Sequence, residues 1–286
     1  MDLIANICIY GFSYAFILFL ASVGLSIALG MLGIVNAAHG ALLMLGGYIG
    51  IAVLESTGNW VLGLLAAAVA SGIIGLIINE AFLRHLHKKE LQQILLTFGL
   101  VYILGNLVLW IWGAQTRVAD EPQFLSGYIT VGELSLPIYR LWVIFSGIAA
   151  FIILLLVQEK TKIGSIIRAG MDDAEMISGL GYNLRPIAVG AFSIGLALAG
   201  LASFLGSPVL GGVSSWMGPR IFFLCMVVVI VGGVGSVQGT LAGALLIGVL
   251  YVTVAIFFPP FAIISTYIAM IIVLLFRPRG LLGRKW

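Results

Sequence analysis

Chemistry in so apolar a chain must come from the few polar residues set inside its apolar runs. Asn36 and His39 are the clearest case, in GMLGIVNAAHGALLMLGGYIG, where one apolar run closes on Gly30 and Gly33 and the next begins. Two readings fit that spacing. Asn36 could cap the second helix across a tight turn. Alternatively, Asn36 and His39 could stand at a re-entrant bend beside a pathway, since irregular backbone is tolerated next to water. His39 has no second His, Cys or carboxylate nearby at ligand spacing, which argues against a metal. Acids are scarcer still: Glu55 and Glu80 fall at the ends of apolar runs, and Arg220 is the only charged residue between Arg185 and Arg277. Burying a charge in lipid costs at least about 2.5–3.5 kcal/mol and marks function where tolerated. A carrier driven by protons or sodium usually needs such a group at mid-depth, and its lack weakens that reading. The glycine-rich GGVGSVQGT (232–240) is followed by no Lys-Ser or Lys-Thr, and no P-loop or Gly-X-Ser-X-Gly pattern occurs. An enzyme acting on lipid or prenyl substrates would need clustered Asp or His, which the sequence does not supply.

The elements that hold these residues are membrane helices. Of 286 residues, 62% are hydrophobic and 9% charged, against about 25% charged in a soluble domain. Apolar runs of the length a bilayer requires fall near 7–31, 38–55, 60–81, 92–113, 139–158, 187–208, 219–235, 240–257 and 261–276. The last two meet at Pro259-Pro260 and could be two spans or one broken hairpin. We therefore expect an all-α polytopic membrane protein of eight or nine spans, some broken or re-entrant, forming one domain over 1–286. Cys8 and Cys225 lie within apolar runs, so no disulfide framework is expected. The net charge of +3 gives no reason to invoke nucleic acid. The N-terminal run is too long, and too acidic at its start, for a cleaved signal. Of the 14 lysines and arginines, all but Arg117, Arg140 and Arg220 fall on one side when the spans are counted in order. By the positive-inside rule that side is cytoplasmic, with the N-terminus outside and the C-terminus inside. In the outer loop, YITVGELSLPI alternates around Gly132-Glu133, as a small hairpin does.

One polar interruption stands out, EKTKIGSIIRAGMDDAEMISGLGYNLRP (159–186). Ile163, Ile166, Ile167, Gly170, Ala174 and Ile177 recur at helical spacing, and Gly179, Gly181 and Pro186 would end the helix. Its polar face mixes both charge signs and small residues, which suits docking onto another protein better than lying on a membrane. Glycines at four-residue steps, Gly46/Gly50 and Gly235/Gly239/Gly243, read as positions where helix backbones approach closely.

These stretches taken together resemble the branched-chain amino acid permeases of ATP-binding-cassette importers. The Asn-x-x-His-Gly turn ending in Gly40, LSLPIYRLWVI, TKIGSIIRAGMDDAEMISGLGYN, VVIVGGVGSVQGTLAGALLIGVL and FRPRGLLG follow in that family's order. The single short central loop is similar to the LivH half rather than the LivM half. The resemblance implies Asn36, His39 and Gly40 beside the substrate pathway, and Arg168, Asp172, Asp173, Glu175 and Gly181 in the segment that couples to an ATPase. Glu175 and Gly181 match the family's Glu-Ala-Ala…Gly coupling pattern, while Met176 and Ile177 replace the alanines. It further implies a second permease (a homologue or a second copy), two cytoplasmic ATPase subunits, a periplasmic substrate-binding protein, and a bacterial inner membrane as its lipid setting. No cofactor would be bound by this chain, ATP being used by the partner subunits. Urea and short-amide importers share this permease type, so the substrate stays open between them, with a stand-alone ion-coupled carrier as the rival class.

Overall fold

Backbone amides inside a bilayer have no water to bond, so the apolar runs satisfy themselves as helices. The computed structural model describes residues 2–33, 35–86, 89–131 and 134–283. Helices α1 (Asp2–Leu32), α2 (His39–Thr57), α3 (Trp60–Ala81), α4 (Glu90–Trp112) and α5 (Ile138–Lys160) come first. Two short helices, α6 (Lys162–Asp172) and α7 (Ala174–Gly179), follow. Helices α8 (Leu184–Leu210), α9 (Met217–Gly232), α10 (Val237–Phe257) and α11 (Ala262–Phe276) complete the chain. Among the described residues, eight helices are long and apolar enough to cross a membrane, counting α11 with the turn before it. Helix α9, at 16 residues, is apolar but falls short of that length. At Pro259-Pro260 the chain makes a single turn of tighter helix, so α10 and α11 are separate elements.

Caps fix several of these ends. Asn59 Oδ1 accepts from the Val61 and Leu62 amides at the start of α3, and Ser236 Oγ from Gly239 at the start of α10. Before α5, strands β1 (Tyr128–Val131) and β2 (Leu134–Pro137) pair antiparallel with Tyr128 opposite Pro137. The Gly132-Glu133 turn expected between them lies outside the described residues. Hairpins this small are marginal alone; this one rests on α1 and α5.

Because successive helices alternate in direction, the molecule has two faces. One carries the start of α1, the hairpin, Arg117, Arg140 and Arg220. The opposite face carries Arg84, Lys89, Lys160, Lys162, Arg168, Arg185, Arg277 and Arg279, and is called here the basic face. Lys88, Arg284 and Lys285, expected on it, lie outside the described residues.

The packing has an internal symmetry that no sequence pattern announced. Helices α1 and α8 cross at Gly24 and Gly195, each glycine so close that a side chain on either would strike the other's backbone. Helix α1 also packs on α10, through Gly11 with Val249 and Ala15 with Gly248. Helix α8 packs likewise on α3, through Leu196 with Gly75 and Gly200 with Ala67. Helix α2 lies on α3 and α9 on α10, while α4 sits beside α2 and α11 beside α9. So α1–α4 and α8–α11 repeat one neighbour scheme with opposite sense, the arrangement of an inverted repeat. Helix α5 joins the halves against α1, where Gly147 accommodates Phe16.

In each half the first long helix is followed by irregular backbone and then by a helix beginning deep in the bundle. Residues 33 and 35–38 precede α2, and 211–216 precede α9. Depth can be read from α3: Ser71 Oγ donates to Leu42 O at 3.1 Å, and α3 runs on to Ala81. At 1.5 Å per residue, α2 starts roughly 10 Å short of α3's end on the basic face.

Candidate functional site

Asn36 and His39 sit at the first of these breaks. Asn36 is fully buried; its Oδ1 accepts from the Ala38 amide at 3.1 Å, and its carbonyl from the His39 amide at 3.1 Å. Ala38, not Asn36, is the N-cap of α2, and it has no side-chain cap bond. Asn36 therefore closes the turn from within and leaves Nδ2 with no partner among the described residues. A buried donor left unmade costs about 1–3 kcal/mol, a burden usually tolerated for a reason. His39 is buried, with Nε2 at 2.7 Å from the carbonyl of Ala21, about three turns short of the end of α1. A carbonyl can only accept, so Nε2 carries a proton and donates it here. Gly40 lies against the Gly218 carbonyl and Gly218 against Ala41. The first turns of α2 and α9 thus meet inside the bundle. All three residues are inside the subunit and line neither of the clefts described next.

A cleft of about 570 Å³ opens on the face carrying the start of α1. Tyr10 and Tyr14 of α1, Arg140 of α5, the end of α8, the start of α9 and Tyr251 of α10 line it. A cleft of about 560 Å³ opens on the basic face between the end of α1, the end of α3 and the start of α8. The repeat exchanges these walls: the start of α1 for the start of α8, and α10 for α3. In the basic-face cleft, Glu80 pairs with Arg84 at 3.1 Å and Arg185 at 2.8 Å, tying α3 to α8. The α1–α8 crossing closes the bundle between the two clefts.

The second candidate site is the polar segment on the basic face. It is two helices, not the single helix the periodicity suggested. Thr161 Oγ1 caps α6 through the Gly164 amide at 3.1 Å. Asp173 then leaves the helical conformation, with φ −153°. Its Oδ1 caps α7 through the Met176 amide at 2.8 Å. The apolar spacing continues across this break, but a capping Asp satisfies an amide that a continuous helix would have bonded otherwise. Helix α7 ends at Gly179, and Gly181 adopts φ +88°, a conformation that favours glycine. Arg168 reaches Ser165 Oγ at 3.3 Å. Asp172, Asp173, Glu175 and Gly181 are exposed, as are Met176, Leu180 and Tyr182. Apolar side chains thus stand in the open on the basic face, outside every membrane-length helix.

Sequence reasoning missed how this segment reaches the membrane helices. Met171, at the end of α6, is only 7% exposed. Its sulfur occupies the space that side chains on Gly30 and Gly235 would need. Gly235 lies in the α9–α10 turn with φ +77°, and its amide donates to Ser26 Oγ at 3.1 Å. One thioether therefore touches both halves of the repeat. The signal was available, because Met171 extends the four-residue stripe from Ile163 through Ile167. Gly235 accordingly belongs to a turn, whereas Gly239 and Gly243 lie on α10 against Gly232 and Val228 of α9. Gly46 and Gly50 face Ala67 of α3 and the α8 residues Gly200 and Phe204. Past α11 the chain returns to the same turn, the Leu281 and Leu282 amides donating to the carbonyls of Val231 and Gly232.

An all-α, multi-pass fold with an inverted repeat, deeply broken helices and a clamped surface segment defines a membrane transport subunit. The chain belongs to the family described as branched-chain amino acid transport system / permease component, whose model matches residues 7–276. It is 30% identical to the high-affinity branched-chain amino acid transport system permease protein BraD of Pseudomonas aeruginosa, over 96% of this chain and 92% of BraD. It is 27% identical to the corresponding permease protein LivH of Escherichia coli, over 96% of this chain and 92% of LivH. No solved structure matches.

Proposed function

We propose that the whole chain acts as one permease domain of an ATP-driven importer that carries branched-chain or related hydrophobic amino acids across a bacterial inner membrane. The observation that carries the reading is the polar segment: an exposed two-helix element anchored at Met171 to both halves of the repeat. Force applied to it from outside the membrane would reach α1 and the α9–α10 turn together. The family match over nearly the full length supports the same role.

In this reading the basic face is cytoplasmic, following its lysines and arginines, and the N-terminus is outside. Two ATPase subunits hydrolyse ATP, and this chain binds no nucleotide. Met176, Leu180 and Tyr182 give an ATPase groove its apolar contacts, while Arg168, Asp172, Glu175 and Gly181 set the polar contacts and the end of the helix. Asp173 serves mainly to hold α7. A second permease, LivM-like or a second copy, completes the membrane unit, and a periplasmic binding protein delivers substrate. Asn36, His39 and Gly40 keep the meeting point of α2 and α9 closed until the helices rearrange.

Deleting the gene in its host tests the substrate. High-affinity uptake of labelled leucine, isoleucine and valine should fall, with urea uptake intact. Loss of urea or short-amide uptake alone would overturn the amino-acid reading.

A further inference from the structure

We propose that the cleft on the N-terminal face is a built site for a small carboxylate with an apolar body, held by Arg140 and Arg220. The proposal rests on the transport reading for its substrate class, but not for its chemistry.

Three arginines stand on that face. Arg117 is already engaged by Glu55 at 2.6 Å. Arg140 and Arg220 line the cleft and form no ion pair among the described residues. Glu121 acts on Arg140 only from beyond ion-pair distance. No acid is among the described residues lining the cleft, so both guanidinium groups face it without an ion-pair partner among the described residues.

Arg140 is also held in place by neutral groups. Its guanidinium stacks over the Tyr10 ring, 3.9 Å from the centroid. One of its N–H groups donates to Ser13 Oγ at 3.0 Å, and the Ser13 hydroxyl donates in turn to the Tyr10 carbonyl at 3.0 Å. The ring and hydroxyl fix the side chain without neutralising it, leaving further donors for a planar anion. Guanidinium suits a carboxylate because its parallel N–H groups match the two oxygens. Helix α9 begins at Met217 on the same cleft, and its dipole favours negative charge there.

The other walls choose the body of the ligand. Tyr14 and Tyr251 stack face to face at 4.7 Å, and Leu210, Ile221 and Leu224 add aliphatic surface. The cleft's volume of about 570 Å³ falls within the roughly 300–1,000 Å³ range of small-molecule sites. Two guanidinium charges, with no acid among the described lining residues, would repel a simple amine.

The test uses the assembled complex in nanodiscs without its binding protein. Trp216, exposed on the cleft wall, reports occupancy by fluorescence against a Trp216→Phe blank. The probes are leucine, 4-methylpentanoate, which keeps the carboxylate and drops the amine, and isoamylamine, which does the reverse. We expect 4-methylpentanoate to bind at least as well as leucine, and isoamylamine to give no saturable signal. Arg220→Gln, at an exposed side chain with no hydrogen bond or ion pair among the described residues, should weaken both acids by about tenfold. Arg140→Gln combined with it should abolish binding. If the double variant fails to assemble, Arg220→Gln alone decides. Equal binding of acid and amine, or wild-type affinity in Arg220→Gln, would overturn the site. Retained 4-methylpentanoate binding in a complex that carries no leucine would keep the site and remove only the substrate reading.

Discussion

Replacing Met171 with alanine should uncouple the importer without dismantling it. Met171 is 7% exposed, and fully burying such a side chain is worth about 1.5–3 kcal/mol. A truncated core methionine costs about 2–5 kcal/mol when its cavity stays open. At the edge of the bundle, beside a cleft lined by Gly30, Ile230 and Val234, partial collapse puts the loss near the low end, about 2 kcal/mol. That is roughly a thirtyfold change in how strongly the polar segment holds α1 and the α9–α10 turn. Helix α6 keeps its Thr161 cap and α7 its Asp173 cap, so the docking surface itself should survive. The assay is leucine transported per ATP hydrolysed, measured on one preparation. Met171→Ala should hydrolyse ATP while transport falls at least severalfold, and Met171→Leu, close in volume, should restore most of the ratio. An unchanged ratio in Met171→Ala would refute the idea that this side chain transmits the stroke.

Other consequences follow from single contacts. Asp173→Ala should fray α7 at a cost of about 0.5–2 kcal/mol and reduce ATPase retention on purification, while Asp173→Asn retains it. Gly181→Val, forced into a φ of +88°, should weaken docking or stimulated hydrolysis with membrane insertion unchanged; wild-type values for both would remove Gly181 from the mechanism. Gly24→Leu should prevent assembly altogether, because the new side chain meets the backbone of Gly195; a normal yield of detergent-stable protein would contradict the α1–α8 crossing. In a background with Cys8 and Cys225 replaced, cysteine at exposed Ser126 should react with an impermeant reagent in intact cells and cysteine at exposed Ser165 should not. Labelling of Ser165 from outside would invert the orientation.

Much of the scaffold was legible because membrane helices need length and apolarity, which a sequence displays directly. The spans near 60–81 and 240–257 and the hairpin before α5 follow from such local rules, whereas Pro259-Pro260 left two spans and one broken hairpin equally open until the backbone divided α10 from α11. The break at Asp173 was not legible, since apolar spacing runs through it and only the backbone shows the aspartate capping α7. The inverted repeat was hidden for another reason. Its axis is a contact between Gly24 and Gly195, and glycine pairs record close approach without recording which partner approaches. Asn36 and His39 were conspicuous as polar residues, but the bond from His39 to Ala21 of α1 and the contact of Gly40 with Gly218 of α9 join positions far apart in the chain. Arg140 and Arg220 registered only as charges at span ends, because nothing local says that two such ends share one cleft while the third arginine is paired.

The central claim is that this chain moves amino acids only when ATPases act on its basic face. Proteoliposomes containing the chain with its partner permease and ATPases, ATP inside and binding protein with labelled leucine outside, test it most directly. Leucine should accumulate with internal ATP, and not when ATP or the ATPases are omitted. Equal accumulation by liposomes holding the chain alone, driven by an ion gradient, would contradict the account.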